Sequence, residues 1–296
     1  MPEDLISLKL LQTEKDLTQR MDSSIILLLT GFAIGTIGTL IGAGGGFLLV
    51  PLLIFTHPAL SPEIITAVSI VIVACNAVSG SIAYARSGRI DFRAGLLFAG
   101  FTIPGSILGV LATRYIPATA FNIAFGIILI LLSAFLFFKK KEQDTDNSAD
   151  GKADSALTHQ TLTDSANTVY SYSYNKYVGI AVSVAVGFLS PLLGIGGGII
   201  HVPAMVHWLN FPVYIATATS HFILAVMATV SVVVHAVKGN YSDPYIFHMI
   251  LWLSIGVIAG AQLGALLSHK IKTSAIVKAL AVCLGLVGLR LLIGVL

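Results

Sequence analysis

"LIGAGGGFLLVP" (Leu40–Pro51) sets four glycines, Gly42, Gly44, Gly45 and Gly46, inside a run otherwise as apolar as a membrane span. Glycine costs about 1 kcal/mol relative to alanine in a helix interior, so one continuous helix through this phrase is disfavoured. The phrase returns as "LLGIGGGIIHVP" (Leu192–Pro203), with the same glycine spacing and the same trailing proline. A feature this unusual, met twice, points to a duplicated unit.

The composition around it is 56% hydrophobic and 10% charged. Soluble domains carry roughly a quarter charged residues, so the chain belongs in a lipid bilayer. The net charge of +3 is small and resides in loops, which argues against a nucleic-acid partner. Cys75 and Cys283 fall inside apolar runs and form no disulfide or metal motif. The first 24 residues are too acidic for a cleaved signal, and Leu5, Leu8 and Leu11 recur there at the spacing of a surface-lying helix, with a disordered tail as the alternative.

A span needs roughly 20 predominantly apolar residues. Runs of that kind lie near 25–56, 62–85, 93–112, 118–138, 177–209, 214–237, 245–268 and 274–295. The first and fifth are too long for one straight span and hold the glycine clusters. The expected fold is an all-α polytopic membrane protein: two repeats of four transmembrane segments, the first segment of each broken at a glycine cluster. Residues 139–176 are polar and rich in Ser, Thr and Asp, which reads as a flexible linker between the halves 25–138 and 177–296. "TAVS" (Thr66–Ser69) matches "TATS" (Thr217–Ser220), and Gly88 matches Gly239. An even number of spans in each half makes the repeats point the same way. Lys9, Lys15, Arg20, Arg86, Arg89, Arg93, the linker lysines, Lys238 and Arg290 then share one side, so both termini and the linker are expected in the cytoplasm.

In hydrocarbon, unwound backbone survives only where it is packed in protein or lines a polar cavity. A helix restarting after the glycines offers free N–H groups and the positive end of its dipole. Glycine also lets a ligand come close to the backbone. Gly44, Gly45, Gly46, Gly196, Gly197 and Gly198 are therefore candidate anion-binding positions, as in transporters with broken helices. Close helix packing is the competing explanation, since Gly42-x-x-x-Gly46 has the spacing for it. Polar residues inside spans are expensive and mark function. Ser69, Ser220, Asn76, Thr219, His221, His201 and Gln262 are the candidates of this kind. A serine can instead bond its own helix backbone, and a histidine can be a packed core residue. All carboxylates lie in tails, loops or span ends, with Glu63 at the start of one span. No nucleophile–base set is visible, and no lysine follows the glycines as a phosphate loop requires. Catalysis, a cofactor and a metal centre are thus not expected.

The two "GxGGGxxxVP" phrases, the "A-T-S" of the following span, the basic loop "YARSGRID" and the "PGxxxG" span resemble the TauE/SafE sulfite exporter family. The resemblance runs from about Leu27 to the C-terminus. It implies an inner-membrane carrier of about eight spans for sulfite, sulfonates and related anions, and puts Gly44–Gly46, Gly196–Gly198, Ser69 and Ser220 on shared motif positions. The long linker and Ala43 depart from the common pattern. Expected partners are a small anion and the lipid bilayer, with homo-oligomerisation left open. A non-transporting membrane scaffold is the alternative of a different class, and a metal-cation carrier lacks paired ligand spacing.

Overall fold

The computed structural model describes residues 23–138, 157–268 and 274–294. The amphipathic reading of the first residues and the linker stretch 139–156 lie outside them. The first half contains α1 (Ser24–Ile41), α2 (Gly46–Thr56), α3 (Pro62–Arg86), α4 (Phe92–Thr113) and α5 (Ala118–Phe138). Strands β1 (Leu157–Thr163) and β2 (Val169–Asn175) follow. The second half contains α6 (Lys176–Leu193), α7 (Gly198–His207), α8 (Val213–Val237), α9 (Pro244–Leu267) and α10 (Ser274–Ile293). Among the described residues seven helices, α1, α3, α4, α5, α6, α8 and α9, are long and apolar enough to cross a membrane.

Local chemistry sets the helix starts. Ser61 accepts from the Ile64 N–H with Pro62 at the first position, Asp91 accepts from the N–H groups of Arg93 and Ala94, and Asp243 accepts from Tyr245 ahead of Pro244. Small residues then let helix backbones approach, the usual packing device where lipid gives no hydrophobic drive. Helix α1 lies parallel to α9: a Cβ at Gly35 would stand 2.5 Å from the Val257 carbonyl oxygen, and one at Gly264 2.5 Å from that of Thr36. Helix α4 lies parallel to α6, with Gly105 against Val184 and Phe188, and Gly126 of α5 abuts Gly288 of α10.

These contacts assign each helix end to one of two faces. Ser24 Oγ is 3.2 Å from His248 Nε2, the His57 and Tyr245 rings are 6.1 Å apart, Lys238 pairs with Glu63, and Arg290 lies 5.0 Å over the Phe55 ring. Both described chain ends and the start of α3 therefore share a face, the terminal face. At the other end of α3, Arg89 pairs with Asp164 and the Tyr172 hydroxyl donates to Asp91 at 2.8 Å. This is the linker face.

Two expectations are corrected here. The termini and the linker do not share a side, because α3 runs from one face to the other between them. The halves do not point the same way either, since each begins on one face and ends on the opposite one. The cause is the direction of the short helices. After α1 has run along α9 as far as Gly264, the chain reverses, and α2 returns to the terminal face at Phe55 and His57. Helix α7 likewise returns to the linker face, where His207 meets Phe135 near the end of α5 at 5.8 Å. Each overlong apolar segment is a helical hairpin and not one interrupted span.

Residues 157–175, read as flexible linker, pair as an antiparallel hairpin in register from Leu157 opposite Asn175 to Thr163 opposite Val169. Tyr170, Tyr172 and Tyr174 alternate with serines, so the tyrosines occupy one strand face. Tyr172 and Tyr174 are buried against Phe211, at 4.6 and 5.0 Å between ring centroids, and Phe98 meets Tyr174 at 6.0 Å. The strand draws its stability from the helices beneath, which is why its polar composition hides it.

Candidate functional site

The two hairpin tips meet between the central helices. Gly42, Gly44 and Gly45 have φ of 79°, 78° and 85°, and Gly194 and Gly196 have 67° and 71°, values that L side chains rarely adopt. Gly42 stands beside Thr217, early in α8, and Gly194 beside Thr66, early in α3. Between them the backbones interlock: a Cβ at Gly46 would run into the Gly194 carbonyl, and one at Gly198 into the Gly42 carbonyl. A Cβ at Gly196 would lie 2.8 Å from the Ala43 oxygen and 3.1 Å from Val73, midway along α3. The glycines thus serve a backbone-to-backbone crossing at mid-depth. The N-termini of α2 and α7, positive by their dipoles, each face the carbonyl end of the opposite hairpin.

Polar side chains gather around this crossing. Ser69 Oγ donates to the Gly194 carbonyl at 2.6 Å and ties α3 to the second tip. Asn76, fully buried, accepts from Thr39 Oγ1 at 2.5 Å through Oδ1. Its Nδ2 has no hydrogen-bond partner and is 3.5 Å from where a Cβ of Gly45 would stand. Ser190 Oγ, also buried and unpartnered, is 3.4 Å from the corresponding point at Gly197. Ser220 Oγ is buried without a partner. The His221 ring is fully buried, edge-on to Tyr84 at 5.6 Å, and neither nitrogen makes a well-formed hydrogen bond, although the Gly42 backbone lies close to it.

Three sequence candidates stand apart and bridge helices. Thr219 accepts from the Asp91 N–H at 3.0 Å on the linker face. His201 Nε2 meets Ser183 Oγ at 3.2 Å between α7 and α6, and Gln262 donates to the Ser79 carbonyl at 2.7 Å between α9 and α3. Conversely, Thr39, Ser190, Gly38 and Gly80 escaped the sequence reading. Gly38 makes room for the Asn76 amide and Gly80 for the His221 ring, with Cβ positions only 2.7 Å from each. Ser190 stands just ahead of the second glycine phrase at the place that Gly38 holds ahead of the first, a match that could have flagged it.

No Lys, Arg, Asp or Glu occurs in α1, α2, α5, α7, α8 or α9. Among the described residues no group of three or more His, Cys, Asp or Glu could hold a metal. Charge collects at the faces. Asp164 is held below the ordinary carboxylate range by the Thr168 N–H first, then by Ala166 and Arg89, against the opposing effect of burial. Burial, with Asp91 adjacent, pushes the Tyr172 hydroxyl up, so it stays a donor.

Residues 27–291 match the family model described as sulfite exporter TauE/SafE. The chain is 34% identical over 276 residues to the "Probable membrane transporter protein YunE" of Bacillus subtilis, covering 91% of this chain and 97% of that one. It is 26% identical over 280 residues to the "Probable membrane transporter protein MJ0441" of Methanocaldococcus jannaschii, covering 90% and 95%. A "Probable membrane transporter protein" of Xylella fastidiosa strain 9a5c is 26% identical over 246 residues, covering 83% and 84%. No solved structure matches the chain.

Proposed function

Because the chain belongs to the sulfite exporter TauE/SafE family of membrane transporters, we propose that it moves a small sulfur-containing oxyanion, sulfite or an organosulfonate, out of the cell across the inner membrane. The anion binds where the glycine tips cross. The observation that carries this reading is Asn76 Nδ2, a fully buried donor with no partner, directed at the first glycine break. A buried donor left unmade costs about 1–3 kcal/mol, a cost that an arriving acceptor removes.

The halves α1–α5 and α6–α10 are inverted repeats, supported by their identical helix order and by the reciprocal contacts of Gly46 with Gly194 and Gly198 with Gly42. The linker face is cytoplasmic. Arg86, Arg89, Arg93 and Lys176 lie at helix ends there, and Lys139, Lys140 and Lys141 follow α5 directly in sequence. Among the described residues the opposite face holds Arg114, Lys238 and Arg290, of which Lys238 is paired with Glu63. Lys9, Lys15 and Arg20 precede α1 in sequence, and Lys270 and Lys272 follow α9 toward the linker face. An inside-negative potential then favours exit of an anion by roughly 2.3 kcal/mol per charge per 100 mV, so export needs no coupling ion.

Proteoliposomes test this. A potential negative on the compartment holding labelled sulfite should accelerate its efflux at uniform pH without sodium. Asn76→Ala, folded by size-exclusion chromatography, should slow it roughly ten- to hundredfold, the worth of one hydrogen bond to a charge. Efflux indifferent to potential but driven by a pH gradient would overturn the mechanism, and no flux of any anion would favour a scaffold.

A further inference from the structure

Resting on that reading of the glycine crossing as an anion site, we propose that the site selects by charge number: it takes a monovalent oxyanion, a sulfonate or hydrogen sulfite, and rejects divalent ones such as sulfate and the sulfite dianion.

The ground is what lies around the crossing. The two short helices that begin there, α2 and α7, and the packed helices α1, α8 and α9 contain no charged side chain. Helix α3 has only Glu63 and Arg86, one at each end. Among the described residues the least exposed arginine and lysine are already engaged at the faces, Arg89 by Asp164 and Lys238 by Glu63. What can meet an anion carries no fixed charge: the Asn76 amide, the Ser190 and Ser220 hydroxyls, the His221 imidazole, which is the one titratable group among them, and the first N–H groups of α2 and α7. Each helix N-terminus is worth roughly half a positive charge, so two of them offset about one negative charge. The carbonyl ends of α1 and α6 beside them reduce even that.

Charge number then decides. The cost of removing an ion from water grows as the square of its charge, while its attraction to fixed dipoles grows only in proportion. Neutral donors that break even with a monoanion fall well short with a dianion. A site meant for dianions would carry a guanidinium or ammonium group, which supplies the missing countercharge and a bidentate fork. The position in the second half that matches Asn76 is Met227, which is buried in one cluster with Val73 and Leu224. The second half thus adds no donor there.

The experiment uses proteoliposomes of the full chain and labelled methanesulfonate, which is monovalent at every accessible pH. Unlabelled sulfate should inhibit its efflux at least about tenfold less effectively than unlabelled methanesulfonate. With a fixed total of sulfite, flux above that of protein-free vesicles should rise as the pH falls through the ionisation of hydrogen sulfite. Met227→Lys, which puts a cation beside Val73 and Leu224, should bring the potency of sulfate closer to that of methanesulfonate. If that variant does not fold, the wild-type comparison decides alone. Sulfate inhibiting as well as methanesulfonate, or sulfite flux rising with pH, would overturn charge selection while leaving anion transport standing. Absence of methanesulfonate and sulfite flux alike would instead remove the transport reading, and this inference with it.

Discussion

At the scale of single residues, the glycines of the crossing answer to backbone contact before ligand access. Gly198→Ala would drive a methyl group into the Gly42 carbonyl, an atom fixed by the turn it belongs to. Overpacking of this kind costs about 1–3 kcal/mol, so the variant should melt at a clearly lower temperature in detergent than the wild type. Gly100→Ala, where nothing lies within 4 Å of the new Cβ, should melt as the wild type or slightly above it. Equal melting of both variants would show that the tips do not interlock. The same geometry explains why Gly45→Val is a poor probe of transport. Its φ of +85° and a Cβ 2.6 Å from Ile34 Cγ2 would disturb the fold itself. Trimming Ser190 removes an unpartnered hydroxyl and creates no clash, so it separates binding from folding. Trimming Asn76 creates no clash but also removes the acceptor of the Thr39 hydroxyl.

At the scale of elements, the docked β-hairpin is open to a direct test. The carboxyl of Asp164 is held below its ordinary value of 3.8, so its contribution to docking is complete above that value and is lost as the pH falls beneath it. Asp164→Asn removes the charge at neutral pH. Hydrogen exchange at the β1 and β2 amides should then become severalfold faster, with α3 and α8 unchanged. Unchanged exchange in the strands would assign docking to the tyrosines alone. The sequence disclosed some of these elements and hid others for physical reasons. The overlong apolar segments and their glycines were legible because length and helix propensity are local. The reversal of α2 and α7 was not, since a short apolar helix reads the same whether it continues across the membrane or turns back. The strand in "VYSYSYN" (Val169–Asn175) does show the alternation of a sheet edge. Its partner surface, Phe98 and Phe211, lies far away in the chain.

At the scale of the whole molecule, topology is the sharpest prediction. With Cys75 and Cys283 replaced, Ser23→Cys and Thr161→Cys place single thiols at exposed positions on opposite faces. An impermeant reagent applied to intact cells should label the first and spare the second. Labelling of both, or neither, would break the assignment of faces. Among candidate site residues, Asn76, Ser69 and the glycines were found from sequence because a polar group or a helix breaker inside hydrocarbon is conspicuous anywhere. Thr39 and Ser190 were not, because a hydroxyl in a span gains meaning only from what it faces. The expectation that the termini and the linker share a face failed for one reason: the count of spans in each half was taken as even, and charge placement inherited that parity. A further consequence follows from the hairpin. If the halves are inverted copies, the conformer open to one side and the conformer open to the other would be degenerate, their populations equal but for whatever breaks the twofold relation. Among the described residues the β-hairpin has no counterpart in the other half, and it clasps one side only. Whatever part of its docking energy differs between the two conformers therefore weights one of them tenfold for every 1.4 kcal/mol, a resting bias written in a strap on one face.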